Sequence, residues 1–159
     1  MTPSKPAVVS ALRHALAEEL AALERVAAMS RDEAGSDETK SEGQYDTRAT
    51  EASYLARGLA FRIAELRQIA AWFAVFDAGR PLDRPVVQTG ALLRLEGGAD
   101  ELLFLAPVGG GRVKVGPWTV KIISPSSPLG QALAELEEGD AAEVDTPRGL
   151  VTREILGIW

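Results

Sequence analysis

The chain has 159 residues and a mass of 16.9 kDa, with 46% apolar residues, 25% charged residues and a formal net charge of -6. That length accommodates one large domain or two small ones. Cysteine is absent and His14 is the single histidine, which excludes disulfides, iron–sulfur clusters and cysteine- or histidine-rich metal sites. An acidic balance also argues against direct gripping of nucleic acid.

The N-terminal stretch Met1–Val9 holds one lysine and no apolar core of signal-peptide length. The longest apolar run, Ile69–Phe76, falls far short of the roughly 20 residues that span a bilayer. The expectation is a cytoplasmic protein with no membrane partner.

Residues 1–76 read as a helical hairpin. In Val8–Met29, Leu12, Leu16, Leu20, Leu23 and Val26 or Ala27 recur at steps of three and four. In Thr47–Phe76 the series is Ala52, Leu55, Leu59, Ile63, Leu66, Ile69 or Ala70, and Phe73. Each series makes a narrow stripe, and alanine, leucine, glutamate and arginine give the matching propensity. Two such stripes bury one another most simply as an antiparallel coiled-coil hairpin.

The tip, residues 30–46, contains Gly35 and Gly43 as interruptions. Ser30 with Glu33 fits a capping box, and Asp46 fits a cap for the second helix. The tip holds two basic and six acidic residues, whereas the rest of the hairpin holds seven basic and five acidic. A mildly basic shaft therefore carries an acidic tip. Carboxylates suit Mg²⁺, which keeps several waters and takes one or two protein carboxylates. A rod tip cannot bury such an ion alone, but it can complete a site inside a partner.

Residues 77–85 (DAGRPLDRP) form the linker. Residues 86–159 then alternate. Val86–Glu96, Glu101–Pro107 and Thr119–Ile123 read as strands. Ser127-Pro128 opens a short helix through Leu136 that stops at Gly139. Ala142–Asp145 and Leu150–Trp159 close as a hairpin around Thr146–Gly149. The expected class is α+β, with an antiparallel sheet on one short helix beside the helical hairpin.

Several residues have plain structural readings. His14 reads as a surface or half-buried helix residue. Gly109-Gly110-Gly111 reads as a flexible hairpin turn, since no Lys-Ser/Thr follows. Trp72 and Phe73 are expected to pack the hairpin base on the second domain, and Trp118 and Trp159 to fill the small core or its edge. Glu135, Glu137, Glu138 and Asp140 read as a solvated helix face. Ser124 and Ser127 lack a histidine partner for nucleophilic catalysis.

The order of parts resembles the bacterial Gre-type transcription elongation factors. Ile123–Leu133 (ISPSSPLGQAL) is similar to the family's Ile-Ser-x-x-Ser-Pro-Leu-Gly-x-Ala-Leu, Glu138-Gly139-Asp140 to its Gly-Asp turn, and Val144–Ile155 to its closing hairpin. The resemblance implies an FKBP-like second domain that docks on RNA polymerase, with Ser127, Pro128, Leu129 and Gly130 as docking motif. It implies a hairpin entering the secondary channel, with tip carboxylates supporting a Mg²⁺ shared with the polymerase and no cofactor stably bound. Cleavage of backtracked RNA then follows at the polymerase's own active site, so the chain is no enzyme by itself. No sequence-specific nucleic-acid contact is implied, and a monomer is expected.

The tip departs from the family's Gly-Asp-Leu-Ser-Glu-Asn-Ala-Glu-Tyr. Anchored on Tyr45, Glu38 falls at the family's aspartate and Ser41 at its key glutamate, with Glu42 one position on. Asp37 is an alternative to Glu38, Lys40 lies between them, and Tyr45 anchors the loop or touches polymerase. The tip thus resembles a divergent branch. Two other readings stand beside cleavage: a secondary-channel regulator or inhibitor that does not cleave, and an FKBP-like peptide-binding or prolyl isomerase module.

Overall fold

The computed structural model describes residues 1–37 and 46–159, without the side chains of residues 34–37 and 46–47. Helix α1 spans Lys5–Asp37 and helix α2 spans Asp46–Val75. They run antiparallel. Arg62 pairs with Glu19 at 2.9 Å and Arg67 with Glu24 at 2.6 Å, while Arg13 near the start of α1 reaches the carbonyls of Phe73 and Phe76.

Helix α1 passes through Ser30 and Gly35, so the expected capping box of Ser30 with Glu33 does not form. Arginine, glutamate and alanine favour continuation, and one glycine costs a helix only about 1 kcal/mol. The seam is buried at the base of the hairpin, at Leu12, Leu16, Ile63, Leu66, Ile69 and Phe73. It does not extend to the outer end. Leu55 is 75% exposed, and Ala52 and Val26 are exposed too. Met29 on the outer part of α1 is 62% exposed as well.

The rest of the chain forms a six-stranded sheet in the order β3-β4-β2-β1-β6-β5. The strands are β1 Leu92–Leu95, β2 Glu101–Leu105, β3 Arg112–Val115, β4 Trp118–Ile123, β5 Ala141–Thr146 and β6 Gly149–Ile158, with α3 at Pro128–Leu133. The sheet is mixed rather than wholly antiparallel, because β2 and β4 pair in parallel from Glu101↔Thr119 to Leu105↔Ile123.

That pairing explains the glycine triplet. Residues 106–111 carry the chain from β2 past the end of β4 to the outer strand β3, so Gly109–Gly111 are a crossover and not a hairpin turn. The Gly110 amide donates to the Ile122 carbonyl, and a Cβ at Gly109 would come 2.7 Å from the Ser124 nitrogen. The short alternating run Arg112–Val115, absent from the sequence reading, is the edge strand this crossover delivers.

Both faces of the sheet are covered over β2, as its unbroken apolar run Leu102–Leu105 requires. One face, with Leu92, Leu102, Phe104, Val120 and Ile122, shares a core with Val8, Val9, Leu12, Leu66 and Phe73 of the hairpin base. The other, with Leu93, Leu95, Leu103, Leu105 and Ile123, packs on Leu133 of α3 and on Ala142, Val144 and Ile155. Among the described residues, no helix is long and apolar enough to cross a membrane.

Helix α3 ends at Leu133, well short of the expected stop at Gly139. Glu135 takes a positive φ of 63°, its amide donates to the Val87 carbonyl, and the Val87 amide donates to the Leu136 carbonyl. The backbone partners offered by Val86–Val87 thus end the helix. Glu135, Glu137, Glu138 and Asp140 lie on this irregular stretch and not on a helix face. Glu135 pairs with Arg84, and the Asp140 carboxylate accepts from the Glu137 amide at 2.8 Å.

Candidate functional site

Three places carry the residues singled out by the sequence. The first is the tip. Glu38, Lys40, Ser41, Glu42 and Tyr45 lie outside the described residues, as does the side chain of Asp37, whose backbone closes α1. The helices place Asp37 and Asp46 at the same end of the hairpin. At about 1.5 Å per residue, the 30-residue α2 holds that end roughly 45 Å from its own base.

The second place is the turn into α3. Ser127 is the N-cap, and its hydroxyl accepts from the Gly130 amide at 3.0 Å while donating to the Ser124 carbonyl at 2.7 Å. Pro128 follows at the first helical position, where a missing N–H costs nothing. A Cβ at Gly130 would overlap the Ser124 carbonyl oxygen. Leu129 is half-buried against the outer core, and Pro128 is exposed. Ser127, Pro128, Leu129 and Gly130 are therefore brought together as one rigid turn. Gly130 acts by absence of a side chain, and Pro128 is the part presented to solvent.

This turn borders an open groove of about 800 Å³ on the outer face of the sheet. Leu95, Leu103, Ile123 and Val144 supply apolar lining, and Lys121, Arg153, Glu101, Glu143 and Asp145 supply charged lining of both signs. No aromatic residue lines it.

The third place is the hairpin base. Trp72, Phe73, Phe76 and Phe104 form one aromatic cluster, with Trp72 stacked on Phe76 at 4.5 Å between centroids and Phe73 5.2 Å from Phe104. This agrees with the packing expected of Trp72 and Phe73. Trp118 is buried, with its Nε1 donating to the Met1 carbonyl at 3.1 Å, and Arg94 lies over its ring. Trp159 lies at the edge, 42% exposed, its ring folded over Gly157. His14 is a surface residue beside Glu18.

Two residues here were not foreseen. Arg13 donates from Nε to the Phe73 carbonyl and from an Nη to the Phe76 carbonyl, both at 2.7 Å. It thereby satisfies carbonyls that the end of α2 leaves open. Lys5 is the one buried charged residue among those described. Burial lowers its pKa from the ordinary 10.5. A charged residue near a chain start gives no sequence signal of such burial.

No group of three or more histidine, aspartate or glutamate side chains among the described residues is placed to hold a metal ion.

Residues 115–159 match the family model for the C-terminal domain of the GreA/GreB transcription elongation factors. A 36-residue stretch is 58% identical to the transcription elongation factor GreA of Desulfovibrio desulfuricans, covering 23% of this chain and 22% of that protein, about a fifth of its length. Among solved structures, the GreA factor homolog Gfh1 of Thermus thermophilus is similar at 21% identity, with 92% of this chain and 94% of that one covered and a TM-score of 0.40. A GreA/GreB factor from Nitrosomonas europaea is similar at 23% identity over 58% of this chain and 78% of its own, with a TM-score of 0.37. These whole-chain likenesses are low, and the assignment rests on the C-terminal segment, which contains both the Ser127–Gly130 turn and the closing hairpin β5–β6. Residues 115–159 are thus similar to the C-terminal domain of the GreA/GreB transcription elongation factors.

Proposed function

We propose that the chain is a transcription elongation factor that docks on RNA polymerase through its sheet domain and sends the hairpin into the secondary channel. The observation that carries this reading is the family match over residues 115–159, which spans the rigid turn at Ser127–Gly130. A long hairpin fixed to that domain by a shared core supports it further, because a thin rod suits a narrow channel.

At the far end, Glu38 and Glu42, or Asp37 in place of Glu38, are the carboxylates that would lie near the polymerase's catalytic Mg²⁺. Two-metal hydrolysis uses one ion to activate water and another to stabilise the leaving oxygen. The chain's part is to bring oxygen ligands to that centre, so it acts in trans on an active site it does not contain. Stalled, backtracked elongation complexes test this. The expected result is shortened RNA and polymerase that co-purifies with the protein.

A second reading keeps the docking and drops the cleavage. Ser41 stands where the resemblance would put a key glutamate, which favours a tip that occupies the channel without ligating the ion. Slower nucleotide addition without shortened RNA separates it from the first. The prolyl isomerase reading has less support, since an FKBP-type active pocket is rich in aromatics and the groove beside α3 has none.

A further inference from the structure

Three separate segments meet at one buried point at the hairpin base. Lys5 comes from the first turn of α1, Phe76 follows the end of α2, and Gly90 precedes β1. The Lys5 ammonium donates to the Gly90 carbonyl at 3.2 Å and sits 5.8 Å from the centre of the Phe76 ring. Gly90 takes a positive φ of 93°, and a Cβ there would come 2.9 Å from the Phe76 ring. The ring therefore lies against both the ammonium and the bare backbone of Gly90. Arg13 of α1 also donates to the Phe76 carbonyl, so the backbone of this residue is tied to α1 as well.

Most of the remaining contact between hairpin and sheet is apolar, and apolar contact is non-directional. A hydrogen bond has a preferred direction and distance. The Lys5 contact is thus of the kind that selects one pitch among several that would bury similar area. The cost of burying the ammonium, visible in its lowered pKa, shows that packing alone does not favour a charge there.

We propose that Lys5 is the positioning residue that fixes the pitch of the hairpin on the sheet domain, and with it the place where the tip falls. The lever is long. A tilt of about 10° at the base displaces a point roughly 45 Å away by about 8 Å. Misplacement of a reacting group by about 1 Å can already cost about 100-fold in rate. The functional consequence rests on the proposed polymerase role, whereas the geometric claim does not.

Because the chain has no cysteine, Arg57→Cys on α2 and Glu138→Cys on the sheet domain provide two unique spin-label sites, both exposed. Pulsed electron–electron resonance on the full chain then reads their separation. Lys5→Met keeps side-chain length and removes the charge and the donor. The expected result is a narrow distribution with Lys5, and one broadened or displaced by about 5 Å or more in Lys5→Met, with helix content unchanged by circular dichroism and recovery in Lys5→Arg. An unchanged narrow distribution in folded Lys5→Met overturns the proposal. If Lys5→Met does not fold, Lys5→Gln is read in the same way. Loss of fold in both also overturns it, since Lys5 would then be a general core residue.

The functional arm uses core RNA polymerase and backtracked complexes. Lys5→Met is expected to bind polymerase within about two-fold of the parent, while the tip-dependent effect on RNA falls at least about ten-fold. If the parent chain itself does not bind polymerase, the proposed function fails and the distance measurement still decides the role of Lys5.

Discussion

The Ser127 hydroxyl bonds the Ser124 carbonyl at 2.7 Å, and that same carbonyl oxygen occupies the space that a side chain at Gly130 would need. Two serines three residues apart thereby close a turn that only glycine can complete, and the closed turn presents Pro128 to solvent.

Ser127→Ala removes the N-cap and one bond to Ser124, and is expected to cost about 1–2 kcal/mol. Gly130→Ala forces the turn open against backbone and is expected to cost about 3 kcal/mol or more. Urea unfolding of both variants checks the order. Equal costs would contradict the close approach at Gly130.

Along the hairpin, the seam works at the base and not at the outer end. Leu66→Ala is expected to cost about 2–5 kcal/mol, since Leu66 is fully buried. Leu55→Ala, at an exposed position with strong helix propensity in both residues, is expected to change stability by less than about 0.5 kcal/mol. Thermal or urea denaturation distinguishes this from a seam closed along its whole length, for which the two losses would be comparable.

Phe104 ties the aromatic cluster of the hairpin base to strand β2 and is fully buried. Phe104→Ala is expected to cost about 3–5 kcal/mol. Hydrogen exchange should show the base of α2 losing protection along with β2, because one core serves both.

Lys5 gives the fold a pH dependence of definite sign. Its folded-state pKa lies below 10.5, so between the two values the unfolded chain binds more protons. Stability from this group therefore rises as pH climbs through that window, and the cost of burying the charge is fully present below it. The melting temperature of the parent chain minus that of Lys5→Met is expected to increase between pH 8 and pH 10.5. A flat or falling difference would contradict the burial of the ammonium.

Much of this was legible in the sequence. The stripes of leucine and isoleucine announced two helices, and Ser127-Pro128 announced the start of α3, because both signals are local. The run Arg112–Val115 is too short to show a strand pattern, and the parallel pairing of β2 with β4 is a long-range event that no local pattern encodes. The stop of α3 depended on backbone partners offered by Val86–Val87, forty-odd residues away. Leu55 matches the seam in spacing, yet it is exposed, because spacing alone does not encode whether the partner helix covers it. Lys5 and Arg13 look like ordinary helix-surface residues until the helix ends they serve are in place. The tip carboxylates Asp37, Glu38 and Glu42 were named from resemblance, and their side chains lie outside the described residues.

The most direct test of the central claim adds the purified chain to stalled, backtracked RNA polymerase complexes and reads both polymerase retention and RNA length. The account predicts that the chain is retained, that Pro128→Ala weakens retention, and that RNA is shortened in a manner abolished by Glu38→Ala with Glu42→Ala. Failure of the parent chain to be retained on polymerase, with RNA length unaltered, would contradict it.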